Sequence, residues 1–248
     1  MFSLKSFPPY PEKTPTLTMM ALPADLPEPV ARYYRVTCGD PLPVIHSAVI
    51  TGRASMRIGG LTFPARFRFT HEAGRHYRHY IEAAVLGIPV MKVNEQYLDG
   101  HSRLELPFGT IENELKMDEA ANLGLWAESI WLPSILLSDP RVRWQTVDAT
   151  TAGLVVPFGQ EEERFTVTFD PESGRLLALE TWRYREAKDQ EKIPWRNEVL
   201  GWQTFHGIQI PSPGSATWLD QGRPWAVFTV EDVAYNVDVS EYVRGRGL

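Results

Sequence analysis

One short segment contains two histidines and a glutamate, the side chains most suited to bind a metal or transfer protons. The segment is GRHYRHYIEA (74–83), which contains His76, His79 and Glu82, and His101 follows it. Imidazole and carboxylate groups are common zinc ligands, and they also serve as general acids and bases. On a helix, His76 and His79 would share a face and could chelate a metal ion.

The composition of this segment favours a strand instead, because it is rich in Tyr and Ile and follows a turn. Side chains of a strand alternate between two faces, so His76 and Glu82 lie on one face while Tyr77 and His79 lie on the other. The face with His76 is predicted to be an outer ladder of paired polar side chains, and no metal is predicted. His79 lies on the more apolar face, where it is either a pocket residue or a hydrogen-bonded core residue.

The second chemical candidate is Glu128, which lies in the apolar segment MDEAANLGLWAESIWL (117–132). Burial disfavours the charged form of a carboxyl group, so it would raise the pKa of Glu128 and suit this residue to general acid or base catalysis. The alternative is a structural ion pair with an arginine such as Arg141 or Arg143.

A catalytic hypothesis combines these groups in a hydrolase or a metal-dependent enzyme that uses His79, Glu128 and His101. The motifs of common enzyme classes are missing from the sequence. It has no G-x-S-x-G serine motif, and no glycine-rich loop that leads from a strand into a helix and would bind phosphates. Cys38 is the single cysteine, which excludes a C-x-x-C metal motif and an internal disulfide.

Residues 117–132 are predicted to form a helix that is apolar on several sides, with Asp118 as its N-cap. Spaced at about 100° per residue, the apolar side chains form three stripes. One stripe contains Trp126 and Ile130, and another contains Trp131. Such a helix must be nearly enclosed, either by a concave sheet or by a partner protein.

Alternating patterns on both sides of this helix predict two antiparallel meanders. In one predicted strand, Phe67 and Phe69 share a face expected to be buried, while Arg66 and Arg68 share a face expected to be wet. Before the meanders, the segment LPEPVARYYRVTCGD (26–40) predicts a short helix. The predicted strands lie at 45–58, 61–70, 75–86, 88–97, 101–107, 141–147, 152–158, 163–169, 175–186, 193–205, 208–219 and 224–236.

These elements predict a mainly β (α+β) protein with one domain over 26–240, an extended Pro-rich arm at 1–25 and a tail at 241–248. The formal net charge is −6, and no cluster of Lys and Arg suits a nucleic-acid partner. No signal peptide and no long apolar run is evident. A cytoplasmic protein is therefore expected, with membrane association only if an anchor precedes this chain, and the oligomeric state is left open.

The order of these elements resembles a bacterial family of unknown function (DUF6544-like) that is related to the lipoprotein-carrier (LolA-like) fold. The resemblance extends over 22–240. It implies a curved antiparallel half-barrel, closed by helices, that holds acyl chains, and it brings no established catalytic residues. The predicted strands give this half-barrel about 11–12 strands. Its most specific pieces are LPEPVARYYR (26–35), WAESIWLPSILL (126–137) and RVRW (141–144).

The leading hypothesis is a domain that binds a lipid or another apolar molecule between the curved sheet and the central helix, with no cofactor. The enzyme described above is the first alternative. An interaction scaffold, whose exposed tryptophans contact another protein, is the second. The predicted ligand-binding residues are Trp126, Trp131, Ile130, Phe67, Phe69, Tyr77 and His79.

Overall fold

The computed structural model describes residues 4–246, so the first three residues of the predicted arm and the last two of the predicted tail lie outside the described residues. A short ribbon pairs β1 (Met19–Met20) with β2 (Leu42–Pro43), and helix α1 (Glu28–Thr37) lies between these strands in the chain. Gly39 follows α1 with φ +86° and donates its N–H to the Tyr34 carbonyl. The predicted short helix is therefore confirmed. Gly39 terminates it, because glycine tolerates the positive φ that this kind of helix end requires.

The first meander contains the five predicted strands and a sixth that was not predicted. The sixth strand is short and exposed along its length, so it lacks the alternation that marks the others. The six strands are β3 (Ser47–Ile58), β4 (Leu61–Glu72), β5 (His76–Val85), β6 (Ile88–Leu98), β7 (His101–Leu106) and β8 (Gly109–Glu112).

The second meander is more divided than its sequence predicts. The predicted strands 193–205 and 208–219 both break where the Pro213 carbonyl accepts hydrogen bonds from the N–H groups of Leu200 and Gly201. Pro213 itself has no N–H to donate to a ladder, which interrupts the strand. The strands are β9 (Arg143–Thr146), β10 (Thr151–Phe158), β11 (Glu161–Phe169), β12 (Leu176–Arg183), β13 (Ile193–Val199), β14 (Trp202–Phe205), β15 (Ile208–Pro211), β16 (Gly214–Trp218) and β17 (Ala226–Tyr235).

The two meanders join into one curved, unclosed antiparallel sheet because β17 pairs with β3. In residues 4–246 this sheet has 13 strands, compared with the predicted 11–12, while β14 and β15 form a separate ribbon. The edge strands are β8 and β9. Between these two edges the chain forms helix α2 (Leu115–Glu128), a 3-10 turn (Ser129–Trp131) and helix α3 (Ile135–Ser138).

Helix α2 is buried around most of its circumference, as its three apolar stripes predict. Leu123, Leu125 and Trp126 are almost wholly buried, and burial of each such side chain contributes about 1.5–3 kcal/mol. The helix begins at Leu115, so the expected N-cap at Asp118 was wrong. The Asp118 carboxylate instead accepts hydrogen bonds from the N–H and hydroxyl of Ser102, which fixes α2 to β7.

Hydrogen bonds from two aromatic side chains fix the end of this helical segment to the sheet. The Trp131 indole N–H donates to the Pro211 carbonyl at 2.9 Å, and the Tyr235 hydroxyl donates to the Trp131 carbonyl at 2.9 Å. Trp131 therefore sits between two separate parts of the second meander. Among residues 4–246, no helix is long and apolar enough to cross a bilayer.

The face of the first meander that points away from α2, here called the outer face, is covered rather than wet. Helix α4 (Ser240–Arg244) packs on β4 and β5, where the Tyr242 ring lies 5.0 Å from the Arg68 guanidinium. Phe7 of the N-terminal arm lies 4.2 Å from Arg66 and 5.8 Å from the ring of Tyr80. The prediction of a wet face was wrong because the N-terminal arm at Phe7 and helix α4 pack on it, which strand alternation does not reveal.

Candidate functional site

A cavity of about 110 Å³ lies between α2 and the inner face of the sheet, which is the face that α2 covers. Strands β4, β5 and β6 contribute to one side, and strands β12, β13, β16 and β17 contribute to the other. Helix α2 closes it. Its apolar walls include Phe69, Ile81, Ile130, Trp131 and Phe228.

Two histidines and one glutamate converge at the wall of this cavity. In the β4–β5 ladder, Phe69 pairs with His79 and His71 pairs with Tyr77, so the two histidines are diagonal neighbours on the inner face. Glu128, the last residue of α2, brings Oε2 to 2.7 Å from Nε2 of His79 and 3.2 Å from Nε2 of His71. The side chains of His71 and His79 are 1% and 6% exposed, and that of Glu128 is 21% exposed.

The charges in this cluster differ from the sequence prediction. Burial alone would raise the pKa of Glu128, but the charge of His79 and contacts with both histidines outweigh burial and lower it to about 2. Burial alone would lower the pKa of His79, but Glu128 and Glu95 outweigh burial and raise it to about 9. Burial lowers the pKa of His71. The expected raised pKa of Glu128 was therefore wrong.

The expected arginine partners of Glu128 were also wrong. Arg141 forms an ion pair with Asp139 at 2.6 Å, and Arg143 forms one with Glu162 at 2.7 Å. Asp139 lies in the same loop as Arg141, and Glu162 lies on β11, which is separated from Arg143 on β9 by strand β10. Local partners therefore hold these arginines away from the cavity.

Glu95 and Tyr77 support His79 from the other side. The Tyr77 hydroxyl donates to Oε1 of Glu95 at 2.7 Å, and Oε2 of Glu95 lies 3.8 Å from Nδ1 of His79. Burial alone would raise the pKa of Glu95, but His79, Tyr77 and Arg183 outweigh burial and lower it. His79 thus has a carboxylate beside each ring nitrogen.

The opposite side of the cavity carries hydrogen-bond donors without acceptors. Within residues 4–246, each of these donors is a buried N–H-bearing atom that finds no partner, and each belongs to a residue of the cavity wall. Buried polar groups in folded proteins nearly always have a partner, so a set of unpaired donors indicates where a ligand or water binds. The atoms are Nε of Arg183, Nε1 of Trp195, Nδ2 of Asn197 and Nε1 of Trp225.

The structure brings most of the sequence-predicted site residues together. Phe67 lies one layer behind the wall, with its ring 6.5 Å from that of Trp131. Trp126 belongs to the buried core and is not part of the cavity wall. His101 is exposed and contacts Asp118, so it is separate from Glu128 and His79. The predicted residues in the wall are Phe69, Tyr77, His79, Glu128, Ile130 and Trp131.

Several residues of the site were missed at the level of sequence, and four polar ones matter most for its chemistry. His71 continues the alternation of Phe67 and Phe69, so that pattern alone places it on the inner face. Glu95, Arg183 and Asn197 are polar positions in strands that gave no motif. Their shared location depends on pairing between distant strands.

Comparisons with known proteins agree with this architecture. The model of DUF6544, a family of unknown function, matches residues 16–230. Among curated proteins, no sequence matches the chain.

Two solved structures are similar over most of their length. A LolA superfamily protein from Nitrosomonas europaea has 8% identity and a TM-score of 0.52, with 87% of this chain and 96% of that chain covered. A DUF1329 family protein from Desulfovibrio piger ATCC 29098 has 11% identity and a TM-score of 0.50, with 87% and 94% covered. At these identities the likeness establishes the LolA-like fold.

Proposed function

We propose that this chain, which belongs to the DUF6544 family of unknown function, binds a small uncharged molecule in the cavity between α2 and the sheet. The molecule has an apolar body and an oxygen that accepts hydrogen bonds. The observation that carries the proposal is the combination of an apolar wall with unpaired N–H donors on the facing strands. Binding sites for small molecules usually combine apolar walls with a few placed polar groups.

The size of the cavity limits the ligand. At about 110 Å³ it is of the same order as an engineered cavity of roughly 150 Å³ that binds benzene, and it is not fully enclosed, so a ring with a short substituent can enter. One aromatic ring or a short chain is the size class that suits such a space. The proposal is therefore narrower than the lipid or lipoprotein cargo that the fold alone would suggest.

The charges around the cavity favour a neutral acceptor over an anion. Arg183 and His79 are the positive groups in its wall, and Glu95, Glu128 and Glu198 are the negative groups. An anionic head placed about 4 Å from one of these carboxylates would lose about 4 kcal/mol at an effective dielectric constant of about 20. The unpaired donors instead suit a ketone, ester or amide oxygen.

The tryptophans give little support to an interaction scaffold. Of the eight tryptophans, Trp182 is the exposed one at 61%, while the others are buried or half-buried. Most of the aromatic surface that could contact a partner protein is thus inside the domain.

Calorimetric titration of the full chain with four ligands of one ring size tests this proposal. The ligands are ethylbenzene, acetophenone, benzoate and benzylamine. Acetophenone should bind about 5–150-fold more tightly than each of the others, because pairing a buried donor recovers about 1–3 kcal/mol and tenfold corresponds to about 1.4 kcal/mol. Native mass spectrometry before the titration identifies any molecule retained from expression. Absence of saturable acetophenone binding to ligand-free protein, or equal binding of ethylbenzene, would overturn the proposal.

A further inference from the structure

We propose that His71, His79 and Glu128 bind one divalent transition-metal ion of the zinc class at the wall of the cavity. The ligand atoms are Nε2 of each histidine and a carboxylate oxygen of Glu128, and all lie within 4.8 Å of one another. The inference does not depend on the identity of the small molecule proposed above. It changes the sequence prediction that no metal is bound.

The spacing of these atoms suits such an ion. Zinc binds histidine nitrogen and carboxylate oxygen at about 2.0–2.2 Å, so two ligand atoms in a tetrahedral site lie about 3.3 Å apart. Oε2 of Glu128 lies 3.2 Å from Nε2 of His71 and 2.7 Å from Nε2 of His79. Opening the contact between Glu128 and His79 by about 0.6 Å would admit the ion.

The directions of the three groups provide a second, independent observation. Although the distances are short, the geometry is not that of hydrogen bonds: within residues 4–246, neither Nε2 atom nor Oε2 of Glu128 has a hydrogen-bond partner. His79 and Glu128 attract each other through opposite charge, but no N–H of either histidine points at Oε2, so the three buried atoms have no directed partner. A metal ion that displaces the Nε2 proton of His79 into solvent would give all three atoms a directed partner.

Glu95 lies close to the position expected of an outer partner of the metal site, somewhat beyond hydrogen-bond distance of His79. Histidines that bind a metal through one nitrogen usually donate the other N–H to a carboxylate, which fixes the tautomer and the ring orientation. Oε2 of Glu95 lies 3.8 Å from Nδ1 of His79, and the Tyr77 hydroxyl holds the other oxygen of Glu95. This arrangement directs Nε2 of His79 towards Glu128.

The donor set also restricts the kind of ion. Two imidazoles and one carboxylate suit Zn²⁺, Co²⁺ or Fe²⁺ better than Ca²⁺ or Mg²⁺, which prefer oxygen ligands throughout. Three protein ligands leave a coordination position for water or another oxygen ligand. Because His79 and Glu128 line the cavity, a ligand oxygen in the cavity could take that position.

Metal titration of the full chain without any organic ligand tests the inference. The protein is stripped with a chelator, dialysed and titrated with Zn²⁺ or Co²⁺ against a chromophoric competitor, and bound metal is counted by elemental analysis. We expect one ion per chain and a rise in the midpoint of thermal unfolding, because a ligand that binds only the folded state stabilises it.

Variants separate the proposed ligands from other metal-binding groups. Glu128→Gln and His71→Asn should abolish stoichiometric binding, and Glu95→Gln should weaken it by about 10–100-fold. His101→Asn is the matched control, because this exposed histidine lies outside the cluster. Glu128→Gln preserves side-chain shape, so it carries the test if His71→Asn does not fold. Less than one ion per chain, or unchanged binding by folded Glu128→Gln, would overturn the inference, whatever the result with acetophenone.

Discussion

The imidazole of His79 stacks on the ring of Tyr77, with centroids 3.9 Å apart and planes at 11°. The two residues are two positions apart on β5, so strand alternation places them on the same face. Phe69 contacts His79 as well, at 4.0 Å between centroids. The orientation of His79 is therefore fixed by aromatic neighbours as well as by carboxylates.

Removal of the Tyr77 hydroxyl tests how much the buried hydrogen bond to Glu95 stabilises the fold. Tyr77→Phe keeps the stacked ring but leaves the Glu95 carboxylate without this donor. We expect the free energy of unfolding to fall by about 1.5–3 kcal/mol, the usual range for a hydrogen bond to a charged group. Urea denaturation measures the change. A loss below about 0.5 kcal/mol would show that water replaces the hydroxyl.

Removal of an indole N–H tests the donor side of the cavity. Trp195→Phe retains an aromatic ring but deletes one unpaired donor of the wall. We expect acetophenone to bind about tenfold more weakly, which is the effect of losing about 1.4 kcal/mol. Trp182→Phe, the same change at an exposed tryptophan, is the control and should leave the calorimetric affinity unchanged. Equal affinities for the two variants would contradict a role for these donors.

A glycine in the middle of α2 offers a stabilising substitution. A Cβ at Gly124 would meet Arg183 and Tyr77 at 3.8 and 3.9 Å, which are ordinary contacts. Gly124→Ala should therefore raise the free energy of unfolding by about 0.5–1 kcal/mol, because alanine has the higher helix propensity.

Gly52 provides the contrasting case for the same substitution. A Cβ there would lie against the Thr229 carbonyl and 2.9 Å from the Phe67 ring. Gly52→Ala should lower the free energy of unfolding by at least about 1–3 kcal/mol through overpacking. Thermal unfolding of both variants measures whether stability rises or falls. A stabilised Gly52→Ala would contradict the close contacts of Gly52 with Thr229 and Phe67.

The stability of the outer face should depend on pH through Glu82. Burial alone would raise the pKa of Glu82, but hydrogen bonds from Tyr80 and Arg66 outweigh it and lower the pKa. A carboxyl group with a lowered pKa in the folded state stabilises the fold above its unfolded pKa of about 4.3. This contribution is lost as the pH falls through the folded pKa.

Glu82→Gln measures that contribution. The variant should be less stable than the parent at pH 7, and the difference should shrink at acidic pH, as urea midpoints at both pH values would show. Glu28→Gln, at a side chain that is 79% exposed, is the control and should change stability little at either pH. A difference for Glu82→Gln that stays constant with pH would contradict this account.

The sequence predicted the inner face of the sheet and the helix that covers it, because both depend on residues that are close together in the chain. The alternation around Phe67 and Phe69 and the apolar stripes of α2 identified the inner face and its helix, because burial imposes a fixed period on each element. The contacts of Glu128 with His71 and His79 could not be predicted in this way. They depend on how α2 crosses a sheet whose strands pair over long distances in the chain.

The pairing of β3 with β17 at the middle of the sheet governs how the chain reaches its native state. Ile50 lies opposite Val233, so this pairing closes a loop that contains most of the protein. Neighbouring strands of the first meander meet through short turns, whereas β3 and β17 meet only after the rest of the chain has been synthesised. We expect a slow folder with high contact order, in which the two halves of the cavity form separately and the binding site exists only once the last strand is added.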